Sequence, residues 1–139
     1  MKKNYLLLTL SPILLVILGF MSACDWANEP SQDTMQRGKK LYALNCQTCH
    51  GAQGEGMPSV FPPLAQADYL MSDRNRAIKQ VLYGARGTIV VNGKTYTGEM
   101  PAQGLNDQQT ADVLNYVRNS WGNKDNIILQ ASDIKAQRR

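Results

Sequence analysis

The sequence has 139 residues, enough for one domain, and a formal charge of +4 from 15 basic and 11 acidic side chains. Setting aside Lys2 and Lys3 in the leading segment leaves 13 against 11, and no basic run interleaved with aromatics occurs, so a nucleic-acid-binding face is excluded. Hydrophobic residues make up 43% of the chain, but many fall in the first twenty positions, which leaves a core small enough for a buried group to help fill.

In chain order, Met1-Lys2-Lys3-Asn4 is a short positive region, and residues 5–20 form an apolar run with Pro12 inside it. The run falls short of the ~20 residues that an untilted membrane span needs, as expected of an export signal. It closes on Met21-Ser22-Ala23-Cys24, which resembles the lipobox of bacterial lipoproteins, with Met21 standing where leucine is usual. That resemblance implies a signal peptide over 1–23 and a mature chain that begins at a lipid-carrying Cys24, tethered to a membrane by several acyl chains. Plain cleavage near Ala23 and an uncleaved anchor are the alternatives. Cys24 is also the odd cysteine of three, and lipidation would account for it. The polar stretch 24–34 reads as a flexible linker, 35–122 as the folded domain and 123–139 as a C-terminal tail.

A first helix is predicted over about 32–45, with Met35, Leu41, Tyr42 and Leu44 on its apolar side and Arg37, Lys39 and Lys40 mostly facing out. Gly38 weakens that helix, and close packing against another helix is the expected reason for it. A second helix should run over 73–83, capped by Ser72, burying Ala77, Ile78, Val81 and Leu82, and stopped by Gly84. Segments 88–91 and 94–97 flank Asn92-Gly93, a strong hairpin signal. A last helix opens at Asn106 with Gln109 as capping-box partner, carries Val113, Leu114, Tyr116, Val117 and Trp121, and ends at Gly122. One further turn is expected near 132–136.

The chemistry lies in Cys46-Gln47-Thr48-Cys49-His50. Two thiols three positions apart at a helix end can reach the two vinyl groups of one porphyrin and become thioethers, with the next residue, His50, placed under the iron. A zinc site would need two further ligands, yet His50 is the sole histidine and there is no second cysteine pair. A thioredoxin-type redox pair would need a βαβ setting that is missing here. With one histidine, bis-histidine ligation within the chain is impossible, so the sixth iron ligand is a methionine, a weaker group, water or nothing. Met57 lies seven residues from His50, too near to cross to the other haem face. Met71 sits just before the second helix and reads as core. Met100, in a loop with Gly98, Pro101 and Gly104, has no helical face to pack and is the favoured ligand.

From about 35 to 121 the chain resembles class I cytochrome c: Cys46, Cys49 and His50 match its haem motif, and Glu99-Met100-Pro101 matches its distal methionine loop. The resemblance implies an all-α fold of three to four helices around one covalent haem c, with a small β-hairpin near 88–97 as an addition to the shortest members. Pro62-Pro63-Leu64 falls where the family has a proline carbonyl that accepts a hydrogen bond from the proximal histidine. That points to Pro62 for the carbonyl and Leu64 against the haem, with a one-residue ambiguity from the double proline. Gly38 with Tyr42, and Tyr116 with Trp121, resemble the family's crossing of first and last helices.

The implied function is single-electron transfer at the periplasmic face of a bacterial membrane, anchored at Cys24, or in the soluble periplasm. Partners on this reading are redox proteins, with a copper nitrite reductase, a terminal oxidase or a periplasmic dehydrogenase as candidates. They would dock at the haem edge around Gln47, Thr48, 57–60 and 102–104, steered by Lys39, Lys40, Arg74, Arg76 and Lys79 if the partner is acidic. The rivals are a five-coordinate haem acting as gas sensor or peroxidase-like enzyme, and a fixed cytochrome subunit of a dehydrogenase or reductase complex.

Overall fold

The computed structural model describes residues 29–138. The expected signal peptide, Cys24 and the start of the expected linker lie outside the described residues.

The first helix, α1 (Gln32–Asn45), begins where Ser31 Oγ accepts the backbone N–H of Thr34 at 3.2 Å, with Asp33 in its first turn against the positive end of the helix dipole. Residues 32–34 therefore belong to the helix and not to the linker expected through residue 34. Leu44, expected on the apolar side, is 81% exposed. It sits about 200° around the helix from Tyr42, at 100° per residue, and Tyr42 is the residue that enters the core. After a break at Cys46, one further turn, α2 (Gln47–His50), carries the haem-motif histidine.

The single-turn α3 (Asp68–Ser72) precedes α4 (Arg74–Tyr83). The cap of α4 is Asp73, whose carboxylate accepts from the Arg76 N–H at 2.9 Å; Ser72, the expected cap, closes α3 and donates its hydroxyl to the Tyr69 carbonyl. A carboxylate on extended backbone is the stronger acceptor for that position, and it displaces the serine by one residue. Ala77, Ile78 and Leu82 are buried, and Gly84 ends the helix, as the periodicity implies. The hairpin forms one residue shorter on each strand than expected: β1 (Ile89–Val91) pairs antiparallel with β2 (Lys94–Tyr96), Ile89 opposite Tyr96. Asn92 and Gly93 both take positive φ, as a tight hairpin turn requires. Asn92 and Asp68 also exchange two backbone-to-side-chain hydrogen bonds, of 2.8 and 3.0 Å, which pin the turn to the start of α3.

Helix α5 (Asp107–Val117) opens with the expected capping box between Asn106 and Gln109. It stops at Val117, four residues earlier than expected. Arg118 caps it, and Trp121 takes positive φ to turn back toward the loop at Gly54. Helices α1 and α5 form the most extensive pairing of elements, crossing at Gly38, where a Cβ would lie 2.2 Å from the Asp112 carbonyl oxygen. Only glycine allows that approach. Arg37 is half exposed as expected but not free: it clasps Asp112 with Nε and one terminal nitrogen at 2.6 and 3.0 Å.

The segment expected as a tail is part of the domain. Asn115 holds Leu129 through both its backbone groups, at 2.8 and 2.9 Å, and α6 (Ala131–Lys135) buries Ile134 completely against α5. A single core cluster joins Tyr42, Ile78, Leu114, Val117, Leu129 and Ile134, so the packed unit extends well past residue 122. Among the described residues no helix is long and apolar enough to cross a membrane.

Candidate functional site

Between α2, the 60–64 loop, α4, the hairpin and α5 lies a cleft of about 1320 Å³, counted out to its solvent-open mouth. Its walls are mainly carbon: Phe61, Leu64, Leu70, Val81, Ile89, Val91, Val113 and Leu114 among others. Cys46, Cys49, His50 and Met100 all line it, and so do Pro62 and Leu64. The residues singled out by motif and those singled out by position in a loop thus meet in one place.

His50 is held from two sides. The C-terminal turn of α2 hands its carbonyl to the Gly56 N–H at 2.8 Å, and its Nδ1 lies 2.9 Å from the Pro62 carbonyl oxygen. A carbonyl can only accept, so Nδ1 carries the proton and donates, which leaves the Nε2 lone pair for the cleft. The double proline is thereby resolved in favour of Pro62. The loop that carries Pro62 folds over Gly56, at φ +68, where a Cβ would come within 2.5 Å of the Phe61 carbonyl. Burial pushes the imidazole pKa down, the bond to Pro62 working against it, so the ring is neutral, the form a metal requires. Burial, followed by the neighbouring Cys49, pushes the Cys46 thiol up to about 11. A thiol kept protonated in apolar surroundings is no thioredoxin-type nucleophile.

Of the three methionines considered, Met100 alone lines the cleft; Met57 is half exposed and paired by backbone with Phe61, and Met71 lies behind the wall. The Met100 backbone is fixed by a two-bond bridge to Ala85, both bonds 2.9 Å, just beyond the end of α4. Glu99 pairs with Arg86 at 3.6 Å, with both side chains largely exposed, a contact worth little.

Several wall residues had no signal in the sequence. Tyr69, Gln80 and Tyr96 line the cleft because the hairpin folds onto α3 and α4. Asn123 donates to the Leu64 carbonyl at 2.8 Å and so fixes the loop from the C-terminal side. Arg118 does the same for Leu70 and Met71. Polar residues beyond a helix end look like solvent-facing tail until their partners are known.

A cleft of carbon, two thiols, a neutral imidazole and a thioether sulfur suit a flat, apolar, iron-bearing macrocycle and no hydrated ion. Among the described residues there is no cluster of three or more His, Cys, Asp or Glu that could hold a metal by itself.

Comparison with known proteins agrees with that donor set. The profile of the family described as Cytochrome c matches residues 35–121. Cytochrome c-552 of Thermus thermophilus is 39% identical over 95 residues, which span 65% of this chain and 72% of that protein. The cytochrome c subunit of the quinone-dependent alcohol dehydrogenase of Gluconobacter oxydans is 35% identical over 105 residues, 73% of this chain but 22% of the subunit. The gluconate 2-dehydrogenase cytochrome c subunit of Pantoea cypripedii is 36% identical over 112 residues, 77% of this chain and 25% of the subunit. This chain is a member of the cytochrome c family, an electron-transfer protein with a covalently attached haem c.

Proposed function

We propose that Cys46 and Cys49 form the two thioethers, that His50 and Met100 ligate the iron, and that the chain is a lipid-anchored periplasmic carrier tethered at Cys24. The observation that carries the ligand assignment is the Pro62–His50 hydrogen bond, which commits Nδ1 and leaves Nε2 for a metal in the cleft that Met100 also lines. The haem supplies a one-electron couple, and the protein's part is to hold it in apolar surroundings with both axial positions filled. Leu64 packs against the ring, and Pro62 keeps the imidazole in one tautomer and raises its basicity. Methionine ligation favours the reduced iron and leaves no open position for a substrate, which separates a carrier from a gas sensor or peroxidase.

The partner is a redox protein that docks at the cleft mouth, where Gln47, Thr48, Met57 and Val60 are exposed, in a small and transient contact. A second reading, a fixed electron-entry subunit of a dehydrogenase, is supported by the relatives that bear that description; the chain spans only a fifth to a quarter of them.

The absorption spectrum of the oxidised protein tests the ligands. A weak long-wavelength sulfur–iron band should be present, and Met100→Ala should remove it and lower the reduction potential. A band absent from the parent protein, or retained in the variant, defeats the assignment. For the anchor, the mass of membrane-extracted protein should show a chain starting at Cys24 with acyl groups attached; an unlipidated Cys24 defeats it.

A further inference from the structure

Behind the cleft wall stands an ion triad, one member of which, Asp125, lies beyond the family match that ends at residue 121. The Arg118 side chain is 3% exposed and that of Asp125 is 6% exposed, with Arg118 Nε donating to the carboxylate at 2.6 Å. Arg74 donates to the same carboxylate at 2.9 and 3.3 Å. The remaining nitrogens of Arg118 hold the carbonyls of Leu70 and, at 3.2 Å, Met71. Leu70 lines the cleft, and so does Val117, the residue before Arg118. The guanidinium therefore sits one backbone layer behind the space that the haem fills.

Two arginines against one carboxylate leave one positive charge in excess. Stability is a weak reason to keep such a group, because well-packed apolar side chains often serve as well as a buried ion pair. Its consequence for the haem is direct. Oxidised haem carries one more positive charge than reduced haem, and a fixed cation screened from water and salt disfavours the oxidised form.

We propose that the Arg74–Asp125–Arg118 triad is an electrostatic tuning element, which holds a fixed positive charge beside the cleft and raises the reduction potential. This rests on the reading that the haem fills the cleft beside His50 and Met100. Arg118 and Asp125 act on the iron at a distance and are positioning residues.

The sign of the response separates charge from packing. In the haem-loaded full chain, Asp125→Asn keeps the shape and an acceptor oxygen but removes the negative charge, so the midpoint potential should rise. Arg118→Gln should lower it. Arg74→Gln should lower it less, since Arg74 is 30% exposed. These shifts should persist at high salt, whereas Lys124→Gln, at a side chain 78% exposed, should give a smaller shift that salt erases. Shifts of the same sign for Asp125→Asn and Arg118→Gln, as a loosened and wetter wall would give, overturn the proposal. So does an unchanged potential in folded Asp125→Asn. If Arg118→Gln fails to take up haem, the opposite signs of Asp125→Asn and Arg74→Gln carry the same test. The sulfur–iron band keeps the two readings apart: with the band intact and the signs wrong, only the triad's role falls.

Discussion

His50 shows how much one side chain is asked to do. Its backbone carbonyl anchors the Gly56 turn, its Nδ1 is spent on Pro62, and its remaining nitrogen is free for the cleft. The same economy holds at Gly38, where the absence of a side chain sets how closely α1 and α5 approach. A Cβ there would meet the Asp112 carbonyl at 2.2 Å and Tyr116 Cβ at 2.6 Å, both on an unyielding helix. Gly38→Ala should therefore destabilise the holoprotein by about 2–3 kcal/mol despite alanine's better helix propensity. Chemical denaturation checks it, and an alanine variant as stable as the parent would mean that the crossing is looser than drawn.

At the scale of elements, α5 is the hub: α1 crosses one side of it, α6 packs on another, and Val113, Leu114 and Val117 reach the cleft. Leu129 has both its backbone groups taken up by the Asn115 side chain, in a setting only 2% exposed at Asn115. Asn115→Ala leaves a buried N–H and a buried C=O without partners, a loss of about 2–4 kcal/mol. The amides of 129–134 should then exchange with solvent much faster, with Ile134 losing its protection first. Unchanged exchange there would show that the segment is held by Ile134 and Arg138 alone.

Across the whole molecule, Asp125 joins the C-terminal segment to α4 and α5 through Arg74 and Arg118. Burial pushes its carboxyl up, but hydrogen bonds from Arg74 and Arg118 outweigh that and hold it down at about 2, against an ordinary value of 3.8. A carboxyl depressed on folding contributes stability that is complete above its unfolded pKa and lost as pH falls through the folded one. The parent should therefore exceed Asp125→Asn in stability by a constant margin of about 2 kcal/mol above pH ~5, shrinking between pH ~4 and ~2. Denaturation midpoints measured at intervals across that range check it. A margin independent of pH would assign the effect to packing instead of charge.

Local chemistry was legible wherever a residue's demand is met by near neighbours. The Cys46–His50 spacing, the Asn106–Gln109 capping box and the Asn92-Gly93 turn each need only a few consecutive residues, and each is formed in the fold. The single histidine narrowed the second ligand to a methionine loop without any structure. Tertiary partners decided the rest. The caps moved to Asp73 and Arg118, Leu44 turned outward, and residues 123–138, which read as a polar tail, became a packed segment tied to α5. Asn115, Arg118 and Asp125 look like ordinary surface polar residues in one dimension, because nothing local tells a solvated side chain from one whose partner lies across the fold. The sequence by itself determined the chemistry of the haem attachment, since that chemistry is held within five consecutive residues. Only the tertiary structure decided which charges stand behind the cleft, since burial and pairing are properties of the folded chain.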